Sequence, residues 1–487
     1  MERVLEIIST INGRINNFIW GPVMLCAFLA VGLLFTVRTG FFQVTHIKYW
    51  LDVTFLQLFR KQDRGNGVLR TKDKHAISQF QSLCTALAAT IGVGNISGVA
   101  IALAMGGPGA IFWMWLSAFL GMMTNYAENT LGIKYRYKDE KGNWVGGAMI
   151  YIEKGLHQKW LAVIFSVFCM LASFGIGNMS QGNEIANGLN NSFGIPKYLT
   201  AVIIMFLAGL VIIGGIKRIA SVAEKVVPFM ALVYIAGALI IILANVTEVP
   251  AAFGAIFSGA FNFKSVGGGA VGFTVMMAMR RGISRGVFSN EAGLGSSVMV
   301  HSASDVKEPV VQGMWGIFEV FADTLVVCTM TALTILTSGV YDYSAYAACA
   351  GGELAEGLKT GVALTGAAFE SVFGSIGSDY ISIAVMLFAF STILGWSYYG
   401  EKAVQYLFGI KAVPVYKIIF ILMIYVGCTV SLDLVIDISD TFNGCMALPN
   451  LIAITLLSPQ VVKMTKEYIA RVKSGKETIS GEELKNN

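Results

Sequence analysis

The chain alternates long apolar runs with short polar connections, and the runs match the roughly 20 residues that carry a helix across a bilayer. Run lengths and loop punctuation predict an all-α polytopic membrane protein of about eleven transmembrane helices, near 18–36, 78–106, 109–133, 160–190, 197–215, 226–244, 265–281, 309–337, 380–400, 413–430 and 441–458. The run from Ser78 to Pro108 stands apart because Gly92-Val93-Gly94-Asn95 sits at its centre. Glycine in a helix interior costs about 1 kcal/mol, and backbone that leaves the helix at mid-depth survives only against protein or a wet cavity. A helix broken there offers an N-terminus that attracts anions and free carbonyls that hold a cation. The break is therefore read as a ligand site. The competing reading is a bent helix whose glycines serve close packing.

Loop charge orients the runs. Segment 37–77 carries Arg38, Lys48, Arg60, Lys61, Arg64, Arg70, Lys72 and Lys74, which places it in the cytoplasm and the N-terminus outside. Alternation then puts 134–158 inside, where Lys134, Arg136, Lys138 and Lys141 lie, and likewise the turns with Lys217, Arg218 and Lys225 and with Arg280, Arg281 and Arg285. The tail from Lys463 is inside, and the acidic loop 338–379 is outside. Residues 1–77 form an added helix and basic loop, 78–245 and 264–457 two five-helix sets, and 458–487 a cytoplasmic tail. The two sets start from opposite faces, the arrangement of an inverted repeat, and each opens on a glycine-interrupted run: Gly92 and Gly94 in one, Gly267-Gly268-Gly269 and Gly272 in the other.

Other polar residues at depth sharpen the picture. Asn178 and Gln181, three apart, are expected to share a helix face near Asn183 and Glu184. Ser391 and Thr392 supply hard oxygens suited to an alkali cation, although membrane hydroxyls commonly bond back to their own helix. Trp396, one turn on, either walls a pocket or marks the interface. Glu319 and Asp323 stand four apart and need a partner, a cation or a proton. Glu128, Glu224 and Glu401, nearer the predicted ends, are expected to be solvated or to snorkel, and polar 282–304 to be a cytoplasmic loop with a short surface helix, forming an inner gate or a cover over the bundle.

Composition narrows the class. With 55% hydrophobic and 13% charged residues and a mean hydropathy of +0.66, the 487-residue chain is too apolar for a soluble fold. The net charge of +5 lies in loops, so it reads as a topology signal and excludes a nucleic-acid face. Seven cysteines show no metal or disulfide spacing, and the histidines fall singly in loops, so neither is assigned to a metal. The first run lacks a small-residue cleavage site and reads as a retained helix. Gly92-x-Gly94 with Gly98 echoes a dinucleotide loop but no strand precedes it, and no H-E-x-x-H and no clustered Cys/His/Asp set stands anywhere, so an enzyme is not expected.

Four long motifs carry a resemblance: TIGVGNISGVAIALAMGGPGAIFWMW at Thr90–Trp115, GGAMIYIEKGL at Gly146–Leu156, RRGISRGVFSNEAGLGS at Arg280–Ser296 and STILGWSYYGEKA at Ser391–Ala403. In this order they resemble the alanine or glycine:cation symporter family. The resemblance implies a LeuT-like fold of five plus five inverted helices with one added, and sodium-coupled uptake of small neutral amino acids such as alanine and glycine at the cell membrane. It further implies that the amides of Val93 and Gly94 meet the substrate carboxylate, and that carbonyls of Ala88 and Ile91 join the hydroxyls of Ser391 and Thr392 around sodium. Thr90 and Asn95 become contacts to substrate or a second cation, and Gly269, Gly272 and Phe273 the opposing wall. Gly92 stands where amine transporters of related fold carry an acid, which fits a ligand bringing its own carboxylate. Within transport, proton coupling through Glu319 or Asp323 stays open. A channel is the weaker alternative, since no filter repeat or ring of charges is present. Oligomeric state is left unassigned.

Overall fold

Helices account for nearly all regular structure in the computed structural model, which describes residues 2–59, 73–261, 274–349, 354–430 and 433–474. Six of the described helices are long and apolar enough to cross a membrane, or eight when each of two bent pairs counts as one span. Three shorter apolar helices, Lys197–Ile212, Val246–Phe261 and Gly361–Phe373, accompany them.

In chain order, α1 (Glu2–Ile19) and α2 (Pro22–Arg38) precede the interrupted helix, whose halves are α3 (Gln79–Thr90) and α4 (Val99–Gly106). A reciprocal cap starts α3: Ser78 Oγ accepts from the Gln81 amide and Gln81 Oε1 from the Ser78 amide, each at 3.0 Å. Then come α5 (Gly109–Tyr135), a hairpin of β1 (Tyr137–Lys138) and β2 (Trp144–Val145), α6 (Lys159–Phe174), α7 (Ser180–Phe193), α8 (Lys197–Ile212) and α9 (Gly215–Ala244). The second half contains α10 (Val275–Asn290), α11 (Val298–His301), α12 (Pro309–Val320), α13 (Thr329–Thr337), α14 (Ile376–Phe408), α15 (Val413–Thr429), α16 (Asp433–Leu456) and α17 (Ser458–Ser474).

Three sequence expectations are corrected. The predicted span 265–281 is described only from 274, and its helix runs on to Asn290, so 282–304 is no surface loop. Gly282 and Gly286 bring α10 against α5, where added Cβ atoms would meet the Ala110 carbonyl oxygen at 2.1 Å and Ser117 Oγ at 2.5 Å. Polarity in this stretch serves polar partners inside the bundle. Glu128 is fully buried, accepting the Gly293 amide at 3.0 Å and Asn450 Nδ2 at 2.5 Å. Glu401, by contrast, pairs with Lys417 at 2.9 Å near the end of α14. His301 lies in α11, buried, with Nε2 2.9 Å from Glu319 Oε2.

One end of the bundle is stapled by Arg136. Its guanidinium donates to the carbonyls of Ser302 (3.0 Å), Ser304 (2.6 Å) and Val306 (2.6 Å) while lying 4.1 Å from the Trp144 ring centroid. A bridge between Ile77 and Ser304, and an ion pair between Lys138 and Asp73 at 2.7 Å, tie the approach to α3 into the same knot. Partial burial works to raise the Asp73 carboxyl, but the Lys138 ammonium and the His75 amide outweigh it and hold it below its ordinary value. Its folded value being depressed, the staple is intact at neutral pH and weakens only as pH falls toward that value. Arg136→Gln should lower the thermal unfolding midpoint of purified protein, losing about 3 kcal/mol of charge-assisted bonds to three buried carbonyls; an unchanged midpoint would contradict the staple.

Candidate functional site

α3 stops where the sequence expects a break. Ile91 takes ψ of 83°, the Gly92 amide turns back to the Thr90 carbonyl at 2.9 Å, and the chain resumes as a π-turn over Gly94–Gly98 before α4, bent by 52° from α3. A π-turn inside a helix marks strain that packing must hold, and such turns gather at functional sites. Close approach explains Gly92: an added Cβ would sit 2.5 Å from Thr392 Oγ1. At Gly94 it would meet Phe288 at an ordinary 3.5 Å.

α14 faces this break with its hydroxyl pair. Ser391 Oγ donates to the Phe388 carbonyl at 2.8 Å and reaches the Ala88 carbonyl at 3.3 Å; Thr392 Oγ1 reaches the same two at 3.0 and 3.1 Å. Each hydroxyl is thus shared between its own helix and the neighbouring one. Gly395 permits the contact, for a Cβ there would lie 2.8 Å from Ala89 Cβ. Three uncharged oxygens, from Ala88, Ser391 and Thr392, thus converge beside the break, a donor set that fits a hard monovalent cation. Ile91 ends the helix there, freeing the local carbonyl ladder.

Between α3, α7, α10 and α14 lies a cavity of about 20 Å³, room for a water molecule and not for an amino acid. Thr90, Gly92, Val93, Gly94, Gln181, Thr392 and Trp396 line it, which brings together most of the residues expected from sequence. Ile176, Phe288, Ser289, Glu291 and Asn443 join them and were missed. For Ser289 and Glu291 the signal was present in the polar, glycine-rich run from Ser289 to Ser296, read instead as a loop. Helix α10 ends at Asn290, Glu291, Gly293 and Gly295 take positive φ of 57°, 94° and 74°, and α11 begins at Val298, so the second half holds its own interrupted helix at 291–297. Gly267, Gly268, Gly269, Gly272 and Phe273, expected at that role, lie outside the described residues.

A model of the sodium:alanine symporter family matches residues 5–482. The chain belongs to that family. It is 44% identical over 468 residues to an uncharacterized transporter of Haemophilus influenzae, with 96% of this chain and 97% of that protein covered. It is 43% identical to the sodium/alanine symporter AgcS of Methanococcus maripaludis, covering 95% and 98%, and 38% identical to the probable sodium/glutamine symporter GlnT of Bacillus subtilis, covering 98% and 94%. This sodium:alanine symporter family member is accordingly a multi-pass membrane transporter and not an enzyme.

Two expected residues of the symporter sit differently from the rest. Asn95 is spent within the protein: Oδ1 accepts the Gly92 amide at 2.9 Å, and Nδ2 donates to Asp323 Oδ1 at 2.7 Å. It pins the break to the π-turn 321–328 that follows α12. Asn178 donates to the Phe420 carbonyl at 2.6 Å and is absent from the cavity wall, whereas Gln181 lines it. The reason is the π-turn Gly175–Met179, which inserts a residue into the helix and rotates the two amides off a common face. Asp323, fully buried, also accepts Ser289 Oγ at 2.8 Å and Thr324 Oγ1 at 2.7 Å. Glu319 Oε2 takes Asn125 Nδ2 at 3.1 Å besides His301, while its buried Oε1 has no hydrogen-bond partner among the described residues; both oxygens of Asp323, by contrast, are engaged.

Proposed function

We propose that the chain is a sodium-coupled symporter of small neutral amino acids, alanine or glycine, working by alternating access with its N-terminus outside and its C-terminus in the cytoplasm. The observation that carries this reading is the broken helix at Ile91–Gly94 set against the Ser391 and Thr392 hydroxyls around one buried cavity. Sodium sits between the Ala88 and Ile91 carbonyls and the two hydroxyls. The amino acid directs its carboxylate at the first amides of the second half-helix, Val93 and Gly94, where the helix dipole favours negative charge. Thr90, Gln181 and Trp396 complete the pocket with Ser289 and Glu291, and Glu291 is placed to meet the ligand's ammonium. Residues 78–245 and 264–457 act as inverted repeats about this site. AgcS, whose name pairs sodium with alanine, supports the choice of ion and substrate class.

The cavity as it stands is too small for alanine, so loading requires a shift to a wider state that the ligands favour by differential affinity. Uptake of labelled alanine into proteoliposomes should require sodium and fail when choline replaces it. Thr392→Val keeps shape and removes one oxygen; it should raise the sodium concentration for half-maximal uptake about tenfold. Unchanged sodium dependence would remove Thr392 from the ion site. Proton coupling through Asp323 or Glu319 is the second reading, favoured by the full burial of both carboxylates. Uptake driven by a pH step without sodium would establish it in place of the first.

A further inference from the structure

A second cavity, about 650 Å³, lies at the end of the bundle beside the β1–β2 hairpin and shares no lining residue with the first. Lys141, Lys217, Lys402 and Lys417 face into it, against Asp139 and Glu401. Both carboxylates are already engaged. Glu401 holds Lys417 at 2.9 Å, while Asp139 Oδ1 accepts the amides of Lys141 and Asn143 at 2.9 Å and its Oδ2 accepts Gln405 Nε2 at 3.2 Å.

Lys402 is the anomaly. It is only 5% exposed, donates one hydrogen bond to Gln405 Oε1 at 2.8 Å and lies 5.0 Å from the Tyr398 ring centroid, yet makes no ion pair among the described residues. The opposite charges it feels, Glu401 and Asp139, are engaged elsewhere, and one recorded hydrogen bond leaves this buried ammonium with donor capacity to spare, a costly state. Two helix starts add to the positive field. The first residues of α9 (Gly215, Ile216) and of the helical turn that leads into α15 (Ile410) line the same cavity, and neither Gly214 nor Gly409 caps its helix through a side chain. At the rim, Ile213 and Ile418 are 71% and 60% exposed, an apolar border suited to acyl chains beside a charged head.

We infer that this cavity is an anion site for a phosphate group, presented either by an acidic phospholipid headgroup or as free phosphate. Basic pockets between membrane helices recognise lipid phosphates in this way. Bound there, the phosphate joins the hairpin, α9, α14 and α15, and supplies the missing counter-charge to Lys402.

The test uses the full chain purified in detergent and reconstituted with phosphatidylcholine alone or mixed with phosphatidylglycerol, with retained lipid weighed by native mass spectrometry. A second arm follows the thermal midpoint in inorganic phosphate against chloride at equal ionic strength. Phosphatidylglycerol should be retained in preference to phosphatidylcholine, and Lys141→Glu with Lys217→Glu, both exposed, should cut that retention about tenfold or more; Lys402→Gln should do the same. Monodispersity and helical circular dichroism check that each variant folds. Stabilisation by phosphate, lost in the variants, without lipid preference assigns the site to the free ion. No preference in either arm, or preference unchanged in the variants, overturns the proposal.

Discussion

Gly92→Val abolishes sodium-dependent uptake, while Gly94→Ala leaves it within a few-fold of wild type. The contrast follows from what each added Cβ meets. At Gly92 it would stand 2.5 Å from Thr392 Oγ1, so the hydroxyl must leave the Ala88 carbonyl and the oxygen cluster comes apart. At Gly94 the neighbour is Phe288 at 3.5 Å, ordinary contact. Overpacking a close helix contact costs about 1–3 kcal/mol, which the whole fold withstands; the site does not, because the displaced atom is its proposed ion ligand. Initial rates in proteoliposomes, with expression and thermal midpoint as controls, check it. Equal loss in both variants would mean that general packing around the break, rather than the Thr392 oxygen, sets activity.

Asp323→Asn should have the second largest effect. Three donors converge on that carboxylate, from Asn95, Ser289 and Thr324. An amide there removes the charge the three donors meet and forces the Ser289 and Thr324 hydroxyls to turn from donors into acceptors, each then needing a new partner for its own buried proton, at a cost of about 1–3 kcal/mol. The Asn95 side chain also holds the Gly92 amide, so the disturbance reaches the break directly. Initial uptake should fall about 100-fold, the rate equivalent of roughly 2.7 kcal/mol. Ser289→Ala removes one donor and keeps the charge, so it should cost far less. If Asp323→Asn transports at the wild-type rate, the carboxylate neither couples nor positions the break.

These two residues also show how far sequence reasoning reached. Gly92 stood out because a glycine pair at the middle of an apolar run frees backbone at mid-depth, with close packing as the competing reading, and Ser391–Thr392 stood out as hard oxygens at depth, with back-bonding to their own helix as the commoner fate. The interrupted helix at 291–297 did not, because a break flanked by polar residues looks like any loop between spans. Its burial, with Gly293 against Phe28 and Leu451 and Gly295 against Asn450 and Ala148, shows it to be interior. Glu128 was misread because distance along the run was taken for depth, whereas it is buried with Asn450 and the Gly293 amide on its Oε1. The Asn178–Gln181 pairing assumed an unbroken helical register, which the π-turn at Gly175–Met179 removes. Periodicity thus located the elements, and irregular backbone, invisible to periodicity, decided which side chains meet.

Reciprocal binding reaches the central claim without passing through transport. A shared site beside Thr392 requires that sodium raise the affinity of purified protein for labelled alanine and that alanine raise the affinity for sodium by the same factor, with both effects absent in Gly92→Val. Alanine binding indifferent to sodium, or coupling that persists in that variant, would contradict a joint ion and amino-acid site at the break.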